Sequence, residues 1–119
     1  MPAPFGALSI FLFDKSRSPS EHGLMLFMII ERFKNNDAIR VYRRFRDRGR
    51  LAPDGLQYVS SWVDIKLACC FQLMEAADAS LIDRWIANWD DIVDFEVVPV
   101  MTSKEATEKM APLLEGRDG

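Results

Sequence analysis

The stretch Leu24–Ile30 (LMLFMII), followed by Glu31-Arg32-Phe33, decides the fold. An apolar run this short falls well below the roughly 20 residues that a membrane span needs. It fits a central β-strand buried on both faces. Downstream, Asn35 and Asn36 supply a helix N-cap and Asp37 puts negative charge in the first turn. In the helix that follows, Ala38, Tyr42, Phe45 and Gly49 recur at spacings of three and four, with Arg40, Arg43, Arg44, Asp47 and Arg48 mainly outside that stripe. Pro53-Asp54-Gly55 stops the segment with turn chemistry.

Leu56–Asp64 alternates, with Tyr58, Ser60 and Trp62 on one side and Val59, Ser61 and Val63 on the other. Cys69–Glu75 alternates too, Phe71 and Leu73 opposing Cys70, Gln72 and Met74, and Asp64–Ala68 between them suits a hairpin. Asp78 caps a second helix with Leu81, Trp85 and Trp89 along one face. Val93–Val100 is a fourth strand in which Phe95 and Val97 oppose Glu96 and Val98. Ser103 caps a final helix to about Leu114, weakened in its last turn by Pro112. The order β-α-β-β-α-β defines an α+β, ferredoxin-like domain over residues 24–114: a four-stranded antiparallel sheet with both helices on one face. Residues 115–119 read as a frayed tail.

Upstream, residues 1–23 hold Pro2, Pro4, Gly6, Pro19 and Gly23 and a polar cluster Ser16–His22, and read as an irregular extension. The apolar Phe5–Phe13 lacks a basic flank, and Asp14-Lys15-Ser16-Arg17 stands where a signal-peptide cleavage site belongs. Met25 is a candidate start codon.

Composition narrows the function classes. The chain has 119 residues, 49% of them hydrophobic, and a net charge of −3, which gives no reason to expect a nucleic-acid or membrane partner. Its two cysteines, Cys69 and Cys70, are neighbours on a strand and point to opposite faces. They are poorly placed to bond to each other, which favours a reducing, cytoplasmic setting. The one histidine, His22, lies in the extension, and no His, Cys, Asp and Glu spacing fits zinc or iron. No metal and no cofactor is expected.

Two helices on one side of the sheet leave the other side to be explained. Apolarity assigns Val59, Val63, Phe71, Leu73, Phe95 and Val97 to the helix side. The remaining face then carries Tyr58, Ser60, Trp62, Cys70, Gln72, Met74, Glu96 and Val98, and if Glu31 joins it so do Phe27 and Ile29. Such a face is too apolar for water and too polar for a dry core. A homodimer enclosing a partly polar cavity satisfies both constraints.

The strings Met25–Glu31, Gly49-Arg50, Pro53-Asp54-Gly55, Ser61-Trp62-Val63, Cys70–Glu75 and Val93–Val100, with Tyr42, Phe45, Trp85 and Trp89, resemble a small bacterial family known as domain of unknown function 3303. The resemblance covers about Met25 to Lys104. It implies a fold similar to the dimeric α/β barrels, and it supplies no activity.

Candidate ligand-binding residues are Tyr58, Trp62, Gln72 and Glu96 on the open face, with Glu31 and with Arg50, which could clamp a carboxylate near the sheet end. The first reading is a homodimeric small-molecule-binding or sensing domain. A cofactor-independent oxygenase or isomerase, by analogy with dimeric barrels, and a purely structural interaction module are the alternatives. No catalytic residue follows from the sequence. An interior cavity would separate the first two readings from the third.

Overall fold

The computed structural model describes residues 23–116. The expectations for residues 1–22, including His22 and Phe5–Phe13, and for 117–119 of the frayed tail lie outside them. Strand β1 (Met25–Phe33) leads through a 3-10 turn, Lys34–Asn36, into helix α1 (Ala38–Arg48). Strands β2 (Gln57–Val63) and β3 (Cys69–Ala76) form the hairpin. Helix α2 (Ser80–Ile86), strand β4 (Val93–Val100) and helix α3 (Ser103–Gly116) complete the chain. The antiparallel sheet has the order β2-β3-β1-β4, the α+β ferredoxin-like arrangement expected.

Local chemistry starts and stops these elements. Asn35 and Asn36 adopt left-handed φ values of 58° and 55°, which asparagine tolerates, so they turn the chain instead of capping it. The cap of α1 is Asp37, whose Oδ1 accepts from the Arg40 amide at 3.2 Å. In the hairpin, Asp64 Oδ1 accepts from the Ala68 and Cys69 amides at 2.7 and 2.9 Å, and these bonds hold its carboxyl below the usual range. Asp78 accepts from the Ser80 amide at 2.9 Å ahead of α2. At α3 the cap is Thr102 and not Ser103. Its hydroxyl accepts from the Glu105 amide (3.0 Å) while Glu105 accepts from the Thr102 amide (3.2 Å), a reciprocal capping box. Helix α3 continues to Gly116 and buries none of its residues.

The sheet faces follow from β1. Its burial alternates strictly: Met25, Phe27, Ile29, Glu31 and Phe33 are buried under the helices, and Leu26, Met28, Ile30 and Arg32 lie opposite. The expectation that β1 is buried on both faces therefore holds for one face only in the single chain. Antiparallel partners share a face, and β3 is in register with Ile29↔Gln72 and Glu31↔Cys70. Cys70, Gln72, Met74 and Ala76 are therefore the buried side of β3, and Phe71 and Leu73 are on the open side. This reverses the assignment made from apolarity. Glu75 shares the open side with Phe71 and Leu73, as its alternation requires.

In β2 the register slips between Tyr58 and Ser60. Ser60 and Trp62 keep the open side, but Tyr58 pairs with buried Met74 and turns to the helix side. Val59, placed under the helices by simple alternation, is exposed at the bulge. On β4 the assignment holds, with Phe95 and Val97 buried and Glu96 exposed.

The helix layer is fastened mainly at its edge. Trp85 and Trp89 both donate their indole N–H to the Arg50 carbonyl, at 3.0 and 2.9 Å, and Asn88 donates to the Leu51 carbonyl at 3.0 Å. Gly49 ends α1 at φ 76°, its amide bonded to the Phe45 carbonyl at 2.8 Å. Arg44 grips Asp91 with two bonds of 2.8 and 2.7 Å, which hold that carboxyl down at about 2.

Because the two indoles share one acceptor, their losses are not additive. Trp85→Phe and Trp89→Phe should each cost about 1 kcal/mol through the lost bond. The double variant should cost at least ~1 kcal/mol more than the sum of the singles, since it leaves the Arg50 carbonyl without either donor. Urea unfolding of the four proteins measures this; strict additivity would contradict the shared role.

Candidate functional site

Between α1 and the sheet lies a cavity of about 220 Å³. Its walls come from both layers: Glu31 and Phe33 on β1, Val41, Tyr42 and Phe45 on α1, Arg50 beyond α1, Ser61 and Val63 on β2, Cys70 and Gln72 on β3, Trp85 on α2 and Trp89 just after it. The cavity exists because α1 stands off the sheet. Val41 is its only buried residue, while Tyr42 and Phe45 hang over the space with one edge in water.

Glu31 is the unusual member. It continues the buried row of Phe27 and Ile29, and its Oε2 is out of water with no hydrogen-bond partner. Burial pushes its carboxyl up from 4.5 to about 7, against the opposing pull of the Arg50 charge. Around it stand neutral groups. Burial raises the Cys70 thiol to about 12, helped by the Glu31 charge, so this sulfur stays protonated near neutrality. Burial, then Cys70 and Glu31, raises the Tyr42 phenol as well. The Gln72 amide makes one weak bond, 3.2 Å to the Met74 sulfur.

Arg50 is held from three sides. Its carbonyl takes the two indole bonds, and its guanidinium carbon lies 3.8 Å from the centre of the Tyr58 ring and 5.2 Å from that of Phe45. Tyr58 is itself positioned by a 2.8 Å hydrogen bond between its hydroxyl and that of Ser61. The arrangement offers a fixed cation, a carboxyl able to exchange a proton near neutral pH, an amide and a hydroxyl within aromatic walls.

The six residues singled out in the sequence separate into two groups. Glu31, Arg50, Gln72 and Tyr58 belong to the helix side: the first three line the cavity and Tyr58 backs Arg50. Trp62 and Glu96 lie on the open side, Trp62 beside Phe71 and Glu96 bonded to Arg32 at 3.1 Å. The expectation that Tyr58, Trp62, Gln72 and Glu96 share one cavity is therefore corrected. The reversed face of β3 and the bulge in β2 are the physical reasons. Ser61, Cys70, Tyr42, Phe45, Trp85 and Trp89 were not among the candidates, and the signal that could have found them is Glu31 within an apolar row.

Among the described residues, no group of three or more His, Cys, Asp and Glu side chains could hold a metal ion, and no helix is long and apolar enough to cross a membrane.

Fold and cavity together define a ferredoxin-like α+β domain with an interlayer pocket. Residues 25–114 match the family described as Domain of unknown function (DUF3303), and the chain belongs to that family. No curated protein and no solved structure matches the chain.

The buried carboxyl makes stability depend on pH in a definite direction. Its folded value of about 7 lies above the ordinary 4.5, so the folded chain holds a proton that the unfolded chain releases. The Glu31 contribution is therefore full below about pH 4.5 and is lost as pH rises to about 7, by roughly 3 kcal/mol in all. Glu31→Gln should be more stable than the wild type at about pH 8 by up to ~3 kcal/mol, and nearly equal to it at about pH 4. Chemical denaturation across that range reads the difference, and a constant gap would show that burial does not tune this carboxyl.

Proposed function

We propose that this domain binds a small organic molecule in the cavity between α1 and the sheet. The carrying observation is Glu31, a buried carboxyl with an unpartnered oxygen, set in an aromatic-walled space that also holds Arg50 and Gln72. A buried polar atom without a partner costs stability; among the described residues Asp83 Oδ1 is the other such atom, and of the two Glu31 is the one that lines the cavity, as fits a group kept for a ligand. The mixture of ring faces with a few directed polar groups suits small-molecule recognition.

Filling the cavity tests this reading. Ser61 lines it from the edge strand, so Ser61→Trp places a ring inside. Fragments that raise the melting temperature of the wild type should lose that effect in Ser61→Trp. Unchanged shifts would move the site elsewhere.

A second reading, proton-transfer catalysis, is favoured by one observation: the Glu31 carboxyl sits at about 7, where a general acid or base works best. Enzymatic turnover would show a pH profile with a limb near that value that Glu31→Gln removes.

The working unit of this reading is a homodimer through the open sheet face. That face carries Trp62, 55% exposed, beside Phe71 on the paired strand, with Leu26, Met28, Ile30, Leu73 and Val98 half-buried near them. Two such sheets facing each other would remove this apolar area from water. Light scattering at micromolar concentration should find a dimer, and Trp62→Glu should dissociate it by burying a charge without a partner. A wild-type monomer in that experiment would exclude the dimer.

A further inference from the structure

Two opposite charges face the cavity without meeting. Glu31 and Arg50 both line it, and Arg50 lies near enough to pull on the Glu31 carboxyl. Yet among the described residues no carboxylate reaches ion-pair distance of Arg50. The two indole bonds to its carbonyl anchor the Arg50 backbone, and the Tyr58 and Phe45 rings flank its guanidinium. A fixed cation beside apolar walls is answered most directly by an anionic guest. Size limits that guest. At about 220 Å³ the cavity is smaller than most pockets for drug-sized ligands, a scale that suits a guest of one ring.

Building on the reading of this cavity as a ligand site, we propose that it takes a small aromatic monocarboxylate, bound carboxylate-first to Arg50, and that binding is coupled to uptake of one proton by Glu31. The guest's ring would lie among Phe45, Trp85 and Trp89. Its negative charge would repel an ionised Glu31, so the neutral acid is the form that accompanies it. The proton added to Glu31 supplies the donor that its unpartnered oxygen lacks, and no bond in the guest is made or broken. The groups facing Glu31 leave Arg50 as the counter-charge. From α1 comes Tyr42 and from β3 Cys70, with Cys69 next to it, and burial holds all three toward their neutral forms. From β4 comes Phe95 and from α2 Trp85, neither of which titrates.

Benzoate, benzamide and benzylamine are matched probes of this class. Titrated into the full chain by calorimetry, benzoate should bind at least about tenfold tighter than either neutral or cationic relative at about pH 6, as expected for a charge-assisted bond. Above pH 7 its affinity should fall about tenfold per pH unit, and buffers of different ionisation enthalpy should report nearly one proton taken up per benzoate. Glu31→Gln should lose the pH dependence, its own benzoate affinity at about pH 8 staying equal to that at about pH 6. Arg50→Gln should erase the preference for benzoate, and Arg50→Lys should restore part of it.

Equal binding of benzamide and benzoate would overturn the anionic class while leaving the cavity a ligand site. Benzoate binding that is tight and insensitive to pH would overturn the proton coupling. If no probe binds and neutral fragments also fail to displace wild-type unfolding in a Ser61-dependent way, both the class and the ligand-site reading fall.

Discussion

The pleat of β1 constrains everything else in this domain. Side chains along a strand alternate, so Phe27, Ile29 and Glu31 must share a face. A slip by one residue would expose the whole buried row and bury Arg32. Because β1 pairs with β3 on one side and β4 on the other, it passes its choice of face to both. Gln72 and Cys70 are drawn under the helices beside Ile29 and Glu31, although neither is the more apolar alternative on β3. A carboxyl at this position cannot be packed against hydrocarbon without a large penalty. It needs space and polar company, which the cavity provides at the end of the row where α1 stands away from the sheet.

That stand-off requires support, and the supports lie around the rim. The exposed ion pairs contribute little each: the Arg32–Glu96 pair and the Lys34–Asp94 pair are both largely in water. The Arg44–Asp91 fork adds direction, since Arg44 also reaches the Asn88 carbonyl at 2.9 Å and lies over Trp89. The deeper tie is the pair of buried indoles on the Arg50 carbonyl, which joins the end of α1 to α2 and the turn after it. One backbone oxygen thus fixes both the roof of the cavity and the root of the cationic side chain within it. Local structure and candidate chemistry share the same hydrogen bonds.

Much of this was legible in the residues. Alternation and turn chemistry identified all four strands and three helices, and the contrast between Phe95, Val97 and Glu96 was strong enough to orient β4. β3 was harder, because Phe71 and Leu73 look like core while Cys70 and Gln72 look like surface. Only register against β1 reveals that the mixed side is the inner one. The β2 bulge leaves no signature in hydrophobic period, so Tyr58 and Trp62 seemed to share a face that the extra residue divides. Cap positions erred by a residue or two where neighbours were equally able, as with Thr102 beside Ser103 and Asp37 beside Asn36. Of the candidates, Arg50 was singled out for its exit from α1, and it lines the cavity. Glu31 was seen to travel with Phe27 and Ile29, but to the wrong side.

The same pleat also separates the cavity from the open sheet face. Ser61 and Val63 line the cavity, and Trp62 between them points through the opposite face. Glu31 and Arg32 divide in the same way on β1, as do Cys70 and Phe71 on β3. No side chain serves both faces, so a change of charge on the open side need not alter the polar set inside the cavity. What the two sides do share is backbone, above all that of β2, which has a neighbour on only one edge. An edge strand is the most deformable wall available, and Tyr58 and Ser61 on it support Arg50 through ring stacking and a hydroxyl bond. Packing against the outer side of Trp62 would therefore stiffen the wall that holds Arg50 in place.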